Sequence, residues 1–323
     1  MHNTLLYTRR IALKKILLLF SALLFSVQLM GCQKIGENSS SSEPETINYP
    51  VEIGQQVFEQ APQTAASLSP ALTEIICELG YTDKLVAKSQ YCDYPPEISA
   101  LESIGSSANP DIDKIITAAP ELLLSQSPIA KKDITKIENA GIRVLILSAP
   151  NSVAELEKNY TDIAELFSGA ANAAAAVDVA MLPLKEALGK ATSSGSFAYI
   201  MTSDLAVATG DTLAGDVLSH FGSNIAQDSQ KYNFTMEELL QKQPDTLFLA
   251  QSMTAENLPA EASGLNAVSG GKILSLDNTS FERPTVRLLT ALVEGIETSL
   301  GTQASPAEST DNSANSEGIS SAQ

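Results

Sequence analysis

The chain has 323 residues, with 20 Lys and Arg against 38 Asp and Glu, a net charge of −18, two His, three Cys and no Trp. So acidic a balance repels nucleic acid and anionic lipid headgroups, which excludes a nucleic-acid role. His2 and His220 are the sole imidazoles, which argues against a bare protein site for zinc or manganese, since those metals favour several His ligands.

Arg9, Arg10, Lys14 and Lys15 precede an apolar run over residues 16–29. That run is shorter than the roughly 20 residues a spanning helix needs, so it reads as a signal peptide over residues 1–31. It ends Leu29-Met30-Gly31-Cys32, which resembles a bacterial lipobox, and that resemblance implies a diacylated Cys32 as the new N-terminus. Two acyl chains meet the condition for stable anchoring. Loss of the first 31 residues removes four Lys and Arg and no Asp or Glu, so the mature chain is more acidic still. Residues 32–50 are polar and Ser-rich and are expected to form a flexible tether. Residues 301–323 offer almost nothing to bury and are expected to form a disordered tail.

Between these ends, strand and helix signals alternate. A strand over residues 64–69 leads into a helix that Ser69-Pro70 opens and Gly80 ends, with Pro at the first helical position. A second strand starts at Leu85. Asp111 caps a short helix, and strands follow at Leu122 and Val144. This α/β alternation implies mostly parallel sheet over residues 51–150. Residues 151–192 are Ala-rich and periodic and predict a long helix, with Gly169 or Pro183 as places for a break. A second α/β segment covers residues 193–300. It has strands at Phe197, Leu247 and Ile273, a turn at Gly210-Asp211-Thr212, a Thr235-x-x-Glu238 capping box and a last amphipathic helix that Pro284 opens. Cys77 falls in a helix and Cys92 just after the next strand; they either pair, as exported chains allow, or stand as separate thiols.

The chain also repeats itself. Asn109-Pro-Asp-Ile-Asp113, running to Pro120, returns as Asn233-Phe-Thr-Met-Glu237, running to Pro244, at a constant offset and without a gap. A repeat this widely spaced suggests two similar lobes rather than a solenoid. Asp113 and Glu237 occupy matching places in the first turns of matching helices. Carboxylates there are also favoured by the helix dipole alone.

Four segments, Ser67-Leu-Ser-Pro-Ala-Leu-Thr-Glu74, Tyr91-Cys-Asp-Tyr-Pro-Pro96, Asn109-Pro-Asp-Ile-Asp113 and Phe281-Glu-Arg-Pro284, together resemble the iron-siderophore and cobalamin class of ABC-transporter substrate-binding proteins. The resemblance covers about residues 60 to 300. It implies two Rossmann-like α/β lobes bridged by a single long α-helix, a class III clamshell that takes its ligand between the lobes. It further implies delivery to a permease dimer driven by a cytoplasmic ATPase, with Asp113 and Glu237 docking into basic pockets on the permease. A carboxylate–Arg pair suits docking because it is charge-assisted and orienting. No cofactor is implied; the cargo is a corrinoid, a ferric siderophore or haem, with corrinoid favoured.

Open α/β sheets place ligands at the loops that follow the strands. That nominates Tyr91, Asp93, Tyr94, Ser107, Asn109, Gln126, Ser127, Gly210, Asp211, Tyr232, Phe281, Glu282 and Arg283. By the resemblance Tyr91 is a ligand-stacking aromatic, whereas Ser107 stands where relatives often carry Trp. Tyr94-Pro-Pro also reads as a rigid turn, and Arg283 as an ion-pair partner of Glu282 or another acid. Glu74 belongs to a family motif or serves its helix structurally. The chain lacks Gly-x-Ser-x-Gly, P-loop, His-Glu-x-x-His and Rossmann fingerprints, and this argues against an enzyme. A surface lipoprotein of the same fold that senses a ligand or binds a partner without transport remains the alternative.

Overall fold

The computed structural model describes residues 49–304. The signal peptide, Cys32, nearly all of the expected tether and the tail beyond residue 304 lie outside the described residues.

A hairpin of β1 (Val51–Ile53) and β2 (Gln56–Phe58) precedes the first lobe. That lobe contains β3 (Ala65–Ser67), α1 (Pro70–Glu78), β4 (Leu85–Lys88), β5 (Glu102–Ser103), α2 (Ile112–Ala118), β6 (Leu122–Ser125), α3 (Lys131–Asn139), β7 (Arg143–Ile146) and α4 (Val153–Ser168). After α5 (Ala170–Gly189) the second lobe follows. It contains β8 (Ser196–Ile200), α6 (Leu213–Leu218), β9 (Ser223–Asn224), α7 (Met236–Lys242), β10 (Thr246–Ala250), α8 (Asn266–Ser269), β11 (Ile273–Leu276), α9 (Thr279–Glu282) and α10 (Val286–Ala304).

Both main sheets are parallel throughout. The first runs β5-β4-β3-β6-β7 and the second β9-β8-β10-β11. The second sheet is therefore the first with one flanking strand fewer. The central strands are buried on both faces, and their sequences are continuous apolar runs, as parallel sheets require. Along β6 the side chains alternate. Leu122 and Leu124 join the large core that extends through both lobes, and Leu123 joins a smaller cluster with Ile104, Ile115 and Ile137 on the other face.

The sequence repeat is a structural repeat. Asp111 caps α2 by accepting the Lys114 N–H, and Thr235 caps α7 by accepting the Glu238 N–H. The reciprocal half of the capping box is present, with Glu238 accepting the Thr235 N–H at 2.8 Å. Both helices end on non-glycine residues in the left-handed region, Ala119 at φ 47° and Gln243 at φ 46°. Pro120 and Pro244 follow, and then the central strands β6 and β10.

Residues 151–192 do not form one helix. Gly169, at φ 76° and ψ 160°, ends α4 and starts α5, and the chain folds back. Lys185 Nζ then lies 2.8 Å from Glu157 Oε1, which places two points 28 residues apart at one level of an antiparallel pair. Only α5, about 30 Å long, leads from one lobe to the other. Pro183 lies within α5 without ending it. Helix α4 packs on α1 and β1 and is a first-lobe element. The last helix also differs from expectation, since α10 continues to Ala304. Cys77 and Cys92 are both free thiols.

Candidate functional site: the interlobe cleft

The β3–α1 turn makes one wall of a cleft. Ser69 accepts the Leu72 N–H as N-cap of α1 and donates its hydroxyl to Gln126 Oε1 at 2.8 Å, tying the turn after β3 to the turn after β6. Ser107 lies beneath, its hydroxyl 3.0 Å from that of Ser125. The opposite wall is the segment from Phe281 to Pro284, which follows β11 in the second lobe. Tyr91, Ser107, Gln126 and Ser127 from the first lobe face Phe281 and Arg283 from the second across a volume of about 420 Å³. The first-lobe wall thus mixes Ser hydroxyls and the Gln126 amide with Pro and Ala surface, while Tyr91 and Phe281 supply aromatic surface.

Arg283 separates this cleft from a second hollow of about 360 Å³, which holds Asp93, Tyr94, Glu74 and Arg287. The Arg283 guanidinium stands 3.4 Å from the Asp93 carboxylate, so its acidic neighbour is Asp93 across the cleft. Glu282 instead accepts from the Asn278 side chain. The Asp93 side chain is 79% exposed, which makes this a weak, screened pair.

Behind Arg283 lies a tighter polar joint. Glu74, on α1, is 5% exposed and accepts Nε and Nη2 of Arg287 at 2.7 Å each, together with the Thr285 hydroxyl at 2.8 Å. The Arg287 guanidinium also lies 3.9 Å from the centroid of the Tyr94 ring. One turn further along α1, Glu78 accepts the hydroxyl of buried Tyr160, on α4, and that oxygen accepts the Val286 N–H at the start of α10. The residue is exposed as a whole, but desolvation of its carboxyl end beside Tyr160 pushes the Glu78 carboxyl up to about 7, against a partial opposing effect of the Tyr160 bond. Burial, with Glu78 close by, also pushes the Tyr160 phenol up. Glu74 is therefore a structural residue at the junction of α1, α4 and α10. The sequence reading missed Glu78, Tyr160, Thr285 and Arg287; the available signal was two Glu four apart on one face of an apolar helix.

The remaining candidates sit elsewhere. Asn109 is exposed in a turn where its N–H donates to Ser106 O at 3.1 Å. Asp211 and Tyr232 lie in the loops after β8 and β9, and neither lines the two hollows. Gly210 is required by close approach, because a Cβ there would stand 2.1 Å from Gln227 O. Asp113 and Glu237 are both exposed on the first turns of α2 and α7. His220, in a short 3₁₀ turn after α6, is exposed and lines neither hollow.

Residues 66–261 match the family described as periplasmic binding protein. The chain belongs to that family. Its members are substrate-binding components of transporters and not enzymes, which bears out the argument against catalysis. The chain is 27% identical over 295 residues to an uncharacterised ABC transporter substrate-binding lipoprotein, YvrC, of Bacillus subtilis (strain 168), covering 85% of this chain and 92% of that one. It is 25% identical over 258 residues to a vitamin B12-binding protein of Vibrio campbellii (strain ATCC BAA-1116), covering 76% and 92%. The crystal structure of the periplasmic vitamin B12 binding protein BtuF of Vibrio cholerae superposes with a TM-score of 0.57 at 25% identity, covering 76% of this chain and 99% of that one. These likenesses are consistent with an extracytoplasmic site of action, and the parallel two-lobe architecture is that of the class III clamshells.

Proposed function

We propose that this periplasmic binding protein captures a corrinoid between its lobes and delivers it to an ABC permease, tethered to the membrane through acylated Cys32. The observation that carries the ligand reading is the cleft itself. It presents Tyr91 and Phe281 for a flat macrocycle, hydroxyls and an amide for polar arms, and Arg283 for an anionic group. Vitamin B12-binding relatives support the same choice. No histidine lines the cleft, so a haem would find only the Tyr91 phenol as an axial ligand, whereas cobalamin carries its own axial nitrogen donor. A ferric chelate, with its metal already enclosed, is the next candidate. A corrinoid is large for this open cleft, and a modest parting of the lobes on binding would separate Arg283 from Asp93.

Transport would follow from docking. Asp113 and Glu237 stand on equivalent exposed turns, one on each lobe, and suit two basic pockets on a permease dimer. Tethering raises the local concentration of loaded protein at the permease.

The test is equilibrium dialysis of the full-length protein, in detergent, against cyanocobalamin, cobinamide, haemin and ferric hydroxamates, read by ligand absorbance. Selective micromolar retention of the corrinoids supports the reading. Selective retention of haemin or a ferric hydroxamate overturns the corrinoid choice, and retention of none by folded protein overturns the capture role.

A further inference from the structure

The loop after β9 contains two consecutive non-glycine residues in the left-handed region, Lys231 at φ 55° and Tyr232 at φ 60°. Each such residue costs free energy, and the pair persists only where its surroundings over-determine it. Core packing of the tyrosine does not account for the strain, since Tyr232 is 44% exposed.

The hold comes from the neighbouring loop after β8. Both carboxylate oxygens of Asp211 accept the Lys231 N–H, at 3.1 and 3.2 Å, and Oγ1 of fully buried Thr209 accepts the Tyr232 N–H at 3.3 Å. The Thr209 hydroxyl donates in turn to Asp211 Oδ1. The two left-handed amides are thus held by acceptors of one loop, the Lys231 N–H by the Asp211 carboxylate and the Tyr232 N–H by the Thr209 hydroxyl that this carboxylate itself orients. Gly210 lets the two loops meet, and Phe234, buried two residues on, pins the far end of the strap.

The lobe repeat gives the strap its place in the second lobe, outside the lining of the two hollows. Strand β9 stands beside β8 as β4 stands beside β3. The loop after β4 carries Tyr91 into the cleft, so the loop after β9 occupies the matching edge of the second lobe.

We propose that Asp211 is a positioning residue for ligand capture: with Thr209 it fixes the strained Lys231–Tyr232 strap so that the exposed Tyr232 ring is set in advance toward the ligand. Asp211 acts through the strap and does not itself meet the ligand. This rests on the capture function proposed above.

The test uses full-length protein as wild type, Asp211→Ala, Asp211→Asn and the double variant Asp211→Ala with Lys231→Gly. Two readouts are taken: amide hydrogen exchange of the segment around residues 229–234, and retention of whichever member of the dialysis panel the wild type binds. Asp211→Ala is expected to speed exchange and to weaken retention about tenfold, the scale of one lost set of restraining bonds. Asp211→Asn, which keeps one acceptor oxygen, falls between. Lys231→Gly, which makes the left-handed pose easy, restores retention to the Asp211→Ala protein. Unchanged exchange in Asp211→Ala overturns the strap assignment. Faster exchange with unchanged retention overturns its role toward the ligand, and failure of glycine to rescue overturns action through the backbone. If wild type retains nothing, the capture reading fails and the ligand part of this assignment fails with it, while exchange still decides whether Asp211 holds the strap.

Discussion

Arg287, in the first turn of α10, holds the carboxylate of Glu74 on α1 through two parallel bonds of 2.7 Å across 213 residues of sequence. Together with Tyr160 and Thr285, this pair fastens the last helix to the first lobe, while α5 alone carries the chain between the lobes. These attachments, with the Val153 N–H at the start of α4 donating to Asp216 on α6 at 2.8 Å, limit how the lobes can move, so modest opening is expected rather than a wide swing.

Removing one partner leaves a buried charge unmatched, and for buried pairs this costs about 3–5 kcal/mol. Arg287 is 39% exposed at its side chain, so Arg287→Met is expected near or below the lower end of that range. The double variant Glu74→Gln with Arg287→Met should recover most of the loss. Denaturant unfolding of the three proteins measures this; a double variant no more stable than Arg287→Met would show that the guanidinium acts chiefly through Tyr94.

Glu78 gives the protein a pH dependence of definite sign. Its carboxyl is raised by burial from 4.5 to about 7. Between those values the folded chain keeps a proton that the unfolded chain has released. The stability this provides is fully present below pH 4.5 and is lost as pH rises through 7. Glu78→Gln removes the charge and keeps an acceptor for Tyr160. It should raise the thermal midpoint at pH 8, by on the order of 2 °C, and leave it unchanged at pH 4.5. Much of the residue's surface meets water, which keeps the effect small. Thermal scans at both pH values check it, and an equal gain at both would assign the effect to packing rather than charge.

At the cleft, Arg283 and Asp93 should behave oppositely. Arg283→Ala is expected to weaken cyanocobalamin about tenfold, in line with a lost hydrogen bond to a charged group, and to spare cobinamide, which lacks the nucleotide phosphate. Asp93→Asn releases the guanidinium and should leave cyanocobalamin binding unchanged or tighter. Dialysis of both variants against both ligands separates this from a simple closing contact, for which the two substitutions would act alike.

Docking is tested by charge reversal. Asp113→Lys with Glu237→Lys should lower cellular uptake of labelled cyanocobalamin by about tenfold or more, as like charges replace complementary ones, with dialysis affinity unchanged. Both side chains are exposed, so folding should not suffer. Uptake at the wild-type level would remove these residues from the docking surface.

Much of the cleft was legible because its determinants are local. Ser69 before Pro70 starts α1, and the turn it caps is the cleft wall. Phe281 to Pro284 stands between a strand and a helix, where ligand loops fall. The other candidates had the same local credentials but different tertiary neighbours. Asp211 in a Gly-Asp-Thr turn looks like a ligand contact until Lys231, 20 residues on, is seen to occupy its carboxylate. Arg283 could pair with any acid until the fold brought Asp93 beside it.

The sequence by itself determined the two-lobe α/β plan, the repeat and the matched helix turns that bear Asp113 and Glu237. Caps, periodicity and central apolar runs are short-range patterns that one strand or helix enforces alone. The tertiary structure decided the fold-back at Gly169, the joint of Glu74, Glu78, Tyr160 and Arg287, and the strap held by Asp211. Each depends on groups far apart in the chain meeting where water is partly or wholly excluded, and no local pattern encodes which polar groups will satisfy one another there.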